Sequence, residues 1–234
     1  FNAAERYQCP VIVATDLITA LDKRSVDLDS LRVLAIDRGE LDLEPGNYLP
    51  HEYPRYQPTK NGISPRVLPG VAGKMTTLVG DEHDRQGHII EDPVNRVEQM
   101  DKRMRKLSET PELRQEAFWY EGDDAPELTL VGFGGTYGAI REARLALQAQ
   151  GLRVAHLHLR MLRPFPAAEL AEMLRGTVYV VEHNATGQLR TEIERQTGIR
   201  ELHSVLRYDG TQFEVRSIIE AVGGQEKRQE VATR

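Results

Sequence analysis

A guanidinium held by a stiff loop is the sharpest chemical feature of this sequence. Gly62-Ile63-Ser64-Pro65-Arg66-Val67-Leu68-Pro69-Gly70 fixes Arg66 between two prolines and flanking glycines. An arginine held that way recognises a carboxylate at two points, although a surface arginine on a loop is the plain alternative. A second candidate is Gly132-Phe133-Gly134-Gly135-Thr136-Tyr137-Gly138, between a predicted strand and a predicted helix, where dinucleotide folds place a phosphate loop. It departs from G-x-G-x-x-G because Tyr137 stands where the third glycine belongs, and the following strand ends in His158-Leu159-Arg160 rather than in an acidic residue. Amides at a helix start could still take an anion; a tight turn is the other reading. A third is Glu182-His183-Asn184 with Gln188, at the carboxyl edge of the predicted sheet. A carboxylate and an amide there could hold a loop or a subunit, or Asn184 or Thr186 could simply cap the next helix.

The densest polar cluster is Asp81-Glu82-His83-Asp84 with His88, whose spacing matches no zinc pattern, and no metal site is predicted. Asp92 before Pro93 reads as a helix N-cap. His156 and His158 fall on one face of a strand, as core or interface residues do.

These residues need elements to position them. Pro10–Asp16 and Leu31–Ile36 are apolar without alternation, which predicts strands covered on both faces. Residues 41–70 are dense in proline, glycine and tyrosine and read as a long loop. The following helix carries Val97, Met100, Met104 and Leu107 as an apolar stripe, with Lys102, Arg103, Arg105 and Lys106 crowding its last turns as a solvated face or, in the other reading, a partner site. Residues 108–127 read as a linker. Beyond them strands are predicted at Leu128–Phe133, Val154–Leu159, Thr177–Val181 and Leu202–Leu206. Helices are predicted at Thr136–Gln150, Pro166–Leu174, Gly187–Gln196 and Val215–Val222, and residues 223–234 form a frayed tail. The alternation predicts an α/β fold, a parallel sheet with helices on both faces.

Composition narrows the function. Lys and Arg total 30 against 36 Asp and Glu, a net charge of −6, which argues against a general nucleic-acid binder. No apolar run reaches membrane-spanning length and no secretion signal opens the chain, so the cytoplasm is the expected compartment, with no membrane partner. The one cysteine, Cys9, opens an apolar run as core filler and excludes a disulfide, a Cys-x-x-Cys pair or a four-thiolate cluster within this chain. Any redox metal must sit on another chain. Starting without Met, on the end of a helix that feeds a strand, the sequence reads as a piece of something longer.

In order and spacing, PVIVATD, GISPRVLPG, GDEHDRQGHIIED with VEQMDKRMRKL, LVGFGGTYGAIREA, VVEHNATGQL and RYDGTQF resemble the alpha subunit of 2-oxoacid:ferredoxin oxidoreductases, especially of the 2-oxoglutarate type. The resemblance implies a thiamine-diphosphate enzyme that oxidatively decarboxylates a 2-oxoacid, forms an acyl-CoA from coenzyme A and reduces ferredoxin. It implies a hetero-oligomer in which a beta subunit carries the thiamine diphosphate, its Mg and the iron–sulfur cluster, with none of these bound to this chain alone. Residues 1–107 would be the C-terminal part of a pyrimidine-binding domain and residues 128–222 a transketolase C-terminal-like domain. A Gly-Gly-Pro-Ser-Thr-like motif and the carboxylate that activates the aminopyrimidine are missing, as is any gamma-like domain ahead of them. The catalytic residues are therefore not assigned. Arg66 is the first nominee for a substrate-facing cation, with Arg38 and Arg24 behind it. Two other readings stand beside this one: a noncatalytic subunit-assembly domain, and a nucleotide-binding module using the 132–138 turn.

Overall fold

The computed structural model describes residues 1–23, 25–31, 33–108, 113–114 and 116–232. The chain divides into two compact units, one of Phe1–Ala14 with Arg24–Thr110 and one of Thr15–Lys23 with Pro111–Arg234.

The second unit is an α/β layer structure. Its strands are β1 (Phe118–Gly122), β2 (Leu128–Phe133), β3 (Val154–Leu159), β4 (Thr177–Glu182) and β5 (Leu202–Leu206), in the order β1-β3-β2-β4-β5. The pairs β2–β3, β2–β4 and β4–β5 are parallel, and β1 closes one edge antiparallel to β3. That edge strand lies inside the stretch read from sequence as a linker; the alternation Trp119 exposed, Phe118 and Tyr120 half-buried is short and lacks the continuous apolar run of its neighbours. Successive residues of β2 and β4 point to opposite faces, and both faces are apolar, so both must be covered. On one face Leu128, Leu130, Val154, Tyr179 and Val181 pack against Ile140, Ala143, Leu147, Ile218 and Val222. These come from the helices Tyr137–Ala149 and Val215–Ala232. On the other, Val131, Leu157, Val178 and Val180 pack against Leu170, Leu189 and Ile193, from the helices Ala167–Met173 and Gln188–Thr197. Each fully buried aliphatic side chain contributes about 1.5–3 kcal/mol. Most predicted elements coincide with these within a residue or two. The last helix does not: its backbone continues to Ala232, through the residues read as a frayed tail.

The first unit departs further from expectation. Its helices are α1 (Asn2–Tyr7) and α3 (Pro93–Ser108), α2 (Leu17–Leu21) belonging to the second unit; the remaining helices are α4 (Tyr137–Ala149), α5 (Ala167–Met173), α6 (Gln188–Thr197) and α7 (Val215–Ala232). Among its described residues there is no strand, only the bridges Leu41 to Arg66 and His83 to Ile89. The apolar runs read as buried strands form no strand among the described residues: Ile12 and Val13 are exposed, as are Val33, Leu34 and Ile36. A strand buried on both faces needs a neighbour for its N–H and C=O groups, and among the described residues no sheet in this unit offers one. Cys9, expected as core filler, is only half-buried.

Helix α3 is capped as predicted, Asp92 accepting the amide of Asn95 at 2.9 Å. Its faces are reversed. Val94, Val97 and Met104 are exposed, while Gln99 and Lys102 are buried. The underside meets the proline-rich loop, whose carbonyls lack ladder partners and accept from long cationic side chains. Lys102 Nζ donates to the Tyr56 carbonyl at 2.8 Å and Arg105 Nη2 to the Thr59 carbonyl at 3.3 Å, while Lys106 Nζ donates to the Gln8 carbonyl at the end of α1, at 3.1 Å. Burial, and then the charges of Lys106, Arg55, Arg103 and Arg105, push the Lys102 ammonium down to about 7.

In the second unit His156 and His158 of β3 lie under the Tyr137 ring, with centroids 5.4 Å and 5.0 Å away. His156 Nε2 and His158 Nδ1 are buried and have no hydrogen-bond partner among the described residues. Burial lowers their pKa to about 3 and about 4 respectively. The folded chain therefore binds fewer protons than the unfolded chain below the ordinary histidine pKa of 6.5. The stability these neutral rings permit is complete above that value and declines as the pH falls toward 4. Urea unfolding between pH 7 and pH 5 should show a slope that steepens toward ~2.7 kcal/mol per pH unit for the two groups together. The His156→Leu/His158→Leu double variant should lose most of that slope, and an unchanged slope would remove the pair from the acid sensitivity.

Candidate functional site

The carboxyl ends of β2 and β4 meet where the strand order turns back on itself, the position at which open α/β sheets place ligands. The turn Gly134–Thr136 leaves β2 as a 3-10 segment and leads into α4. Its anion position is already filled by the chain. The Gly135 amide donates to Asp16 Oδ2, while Asp16 Oδ1 accepts the Thr19 amide at 2.9 Å as the N-cap of α2. Hydrogen bonds from Thr19, then Gly135, together with nearby His183, hold the Asp16 carboxyl below its usual range against the opposing effect of burial.

This accounts for the glycines. A Cβ on Gly135 would run into Asp16 Oδ2 and the Ile18 side chain, and one on Gly132 into the Ile140 side chain. Thr136 turns inward, its hydroxyl donating to the Phe133 carbonyl at 2.9 Å. Tyr137 starts α4 and lies on the two histidines rather than at an open phosphate cradle. The turn is built for close packing and for an internal carboxylate, and that carboxylate opposes a phosphate on the same amide.

Glu182 and Asn184 are likewise engaged within the chain. The Glu182 side chain is fully buried and accepts the amides of Leu189 at 2.7 Å and Arg190 at 3.2 Å, and the side-chain amide of Asn184 at 2.6 Å. Asn184 Oδ1 accepts the amides of Gly187 at 2.8 Å, Thr186 at 3.1 Å and Gln188 at 3.3 Å. Together they satisfy the start of α6, whose N-cap position is a glycine without a side chain to do so. Gln188 contributes its backbone amide, and its side chain is exposed. His183 stacks on Phe213 with centroids 4.8 Å apart. Nearby, Asp209 accepts from Thr211 and Arg207, which bring its carboxyl down to about 2.

The arginine nominees belong to the first unit. Arg66 Nη2 pairs with Glu5 and donates to the Arg38 carbonyl at 3.0 Å. Arg38 Nη1 lies 3.8 Å from the same Glu5 oxygen. Arg66 and Arg38 thus converge on Glu5, whose carboxyl is held below its usual range chiefly by the hydrogen bond from Arg66. Arg24 lies outside the described residues. Asp84 accepts the amides of Gln86, Gly87 and His88, each at 2.9 Å, and Glu82 pairs with Arg103 at 2.6 Å and Arg96 at 3.0 Å. The DEHD cluster is thereby a turn and an ion-pair node. Among the described residues no group of three or more His, Cys, Asp or Glu side chains is placed to hold a metal.

Sequence reasoning missed Asp16 and Glu5. The signal for Asp16 was present, an aspartate directly before the apolar helix Leu17–Leu21. Nothing local marks Glu5.

Residues 126–218, which hold β2 to β5, match the family described as pyruvate:ferredoxin oxidoreductase core domain II. Almost the whole chain is similar to 2-oxoacid:ferredoxin oxidoreductase alpha subunits. It is 37% identical over 232 residues to subunit alpha of 2-oxoacid:ferredoxin oxidoreductase 2 from Aeropyrum pernix, covering 95% of this chain and 35% of that one. It is 34% identical over 154 residues to 2-oxoglutarate oxidoreductase subunit KorA from Mycobacterium tuberculosis, covering 63% of this chain and 22% of that one. A solved 2-oxoglutarate:ferredoxin oxidoreductase from Magnetococcus marinus, with 2-oxoglutarate, coenzyme A and succinyl-CoA bound, superimposes with a TM-score of 0.80 at 28% identity. That match covers 96% of this chain and 38% of the solved one. The chain thus spans about a third of the length of such relatives. The likeness read from the motifs holds in sequence and in fold.

If the Gly134–Gly135 turn is closed by Asp16, changes at the two partners are coupled. Asp16→Ala should cost about 1 kcal/mol through the lost cap. Gly135→Ala should be clearly destabilising with Asp16 present and much less so in the Asp16→Ala background. A urea-unfolding cycle over the four proteins should give a coupling of ~0.5 kcal/mol or more; strictly additive losses would dismiss the contact.

Proposed function

We propose that this chain is part of the alpha subunit of a thiamine-diphosphate-dependent 2-oxoacid:ferredoxin oxidoreductase, with 2-oxoglutarate as the 2-oxoacid, forming an acyl-CoA and passing electrons to ferredoxin. The observation that carries the proposal is the 37% identity sustained over 95% of the chain. The 2-oxoglutarate and coenzyme A bound in the superimposed Magnetococcus marinus enzyme support the choice of substrate. Residues 1–107 and 128–222 would be the pyrimidine-binding and transketolase C-terminal-like portions.

The residues present do not fit the redox cluster such an enzyme uses, because a single cysteine cannot supply its thiolates. They do not fit the cofactor's diphosphate either: the Gly135 amide is bonded to Asp16, and the described residues hold no acidic cluster for its cation. Both groups are therefore placed outside these 234 residues in this proposal. The part of this chain is to hold its portion of the subunit in shape and to present it to a beta subunit. Co-expression with a beta subunit should give a complex that oxidises 2-oxoglutarate in the presence of coenzyme A and ferredoxin, the chain being supplied within a full alpha subunit. The purified 234-residue chain, given thiamine diphosphate, coenzyme A and a one-electron acceptor, should show no turnover, and turnover without a partner would defeat this division of roles.

Within that enzyme we assign Arg66 to holding the 62–70 loop through Glu5 rather than to facing substrate. Arg66→Lys and Glu5→Gln should then lower thermal stability by similar, non-additive amounts, with kcat/KM for 2-oxoglutarate unchanged relative to coenzyme A and ferredoxin. A selective fall in kcat/KM of roughly 10- to 150-fold for 2-oxoglutarate in Arg66→Lys alone, the size of a lost charge-assisted hydrogen bond, would instead place Arg66 on the substrate carboxylate.

A further inference from the structure

The first unit contains a cavity of about 660 Å³, large enough for a small organic ligand, bounded by the 66–78 segment together with Tyr48, Pro50 and Arg55. Its walls are mainly apolar, with Pro50, Leu68, Val71, Met75 and Leu78 among them. Three cationic side chains also line it, Arg55, Arg66 and Lys74, and they are not equivalent. Arg66 is neutralised by Glu5 and Lys74 by Asp42. Arg55 has no carboxylate at ion-pair distance among the described residues. Its guanidinium donates to neutral acceptors only, Gln8 Oε1 at 3.1 Å and the Ser64 carbonyl at 3.4 Å, and lies 5.2 Å from the Tyr56 ring centroid.

A desolvated guanidinium with neutral partners beside an apolar cavity is a charge waiting for a counter-ion. Burial already works against the charge on Arg55, with Arg66 adding repulsion. Removing both neutralised pairs from the count leaves one net positive charge in the cavity. That single charge suits a monoanion better than a phosphate dianion, and the walls suit an apolar body. We propose that this cavity binds an organic monocarboxylate with an apolar chain, its carboxylate paired with Arg55 and its chain laid against Leu68, Val71 and Met75. The site is independent of the enzyme assignment above.

Calorimetric titration of the 234-residue chain with hexanoate, hexanamide and acetate tests it. Hexanoate should bind at least tenfold more tightly than hexanamide, which has the chain without the charge, and than acetate, which has the charge without the chain. Arg55→Gln should weaken hexanoate roughly 10- to 150-fold, to the level of hexanamide, the loss expected of a charge-assisted hydrogen bond. Because Arg55 also braces Gln8 and Ser64, a second variant is placed at a half-exposed wall position. Leu68→Trp should fill the cavity and abolish hexanoate binding without touching the arginine. No measurable hexanoate binding to the wild-type chain, equal affinity for hexanoate and hexanamide, or undiminished binding in Arg55→Gln or in Leu68→Trp would each overturn the site.

Discussion

Strand β2 lies between β3 and β4 with Leu130 and Val131 fully buried on its opposite faces, so the second unit needs a helical layer on each side. The need for two covers sets much of the local design. Parallel pairing makes each strand return through a helix, so the helices that follow β2 and β4 begin at the same edge, with unpaired amides directed there. Open sheets commonly leave such amides for a ligand. Here the protein supplies its own acceptors, Asp16 to the Gly135 amide and Glu182 to the start of α6. An edge that looks like a binding crevice in outline is, in its hydrogen bonds, a set of internal locks.

The first unit solves a different problem. Its buried apolar residues are few, Tyr7, Tyr53, Ile63 and Val67 among them, and a proline-rich loop provides carbonyls without a ladder to receive them. The solution is polar: α3 turns Lys102 and Arg105 inward to those carbonyls and Lys106 to the Gln8 carbonyl, and leaves Val94, Val97 and Met104 outside. A face that carries charge is ordinarily the wet face, because charged side chains lose hydration on burial. It is the dry one here because the long methylene stems pack while the heads find oxygen.

The contrast explains how far the sequence could be read. Periodicity and turn residues locate β2 to β5 and their helices closely, since each pattern there reports the burial it receives. The two apolar runs at 10–16 and 31–36 carry the same pattern and fail, because a strand is a property of a pair and not of a segment. Helix α3 is legible in its position and cap but not in its orientation, which depends on carbonyls 46 residues away in sequence, such as that of Tyr56. At the candidate sites the residue types were evident and their partners were not: Arg66 was conspicuous between its prolines, while Glu5, which takes its charge, lies 61 positions earlier. Asp16 was within reach of the same reasoning that found Asp92, as an acidic residue directly preceding a helix.

Lys102 carries a chemical consequence of that inverted helix. Burial, and then the cations beside it, bring this amine down to about 7, so packing α3 on the loop loosens its hold on its proton. Its side chain is buried and its nitrogen faces a carbonyl. Amine-directed acylating reagents would therefore mark the exposed lysines while the chain is folded and reach Lys102 only when α3 lifts from the loop, at which point its ammonium is solvated again and reacts as an ordinary lysine. The rate of acylation at this one position is a built-in clock for the opening of the first unit.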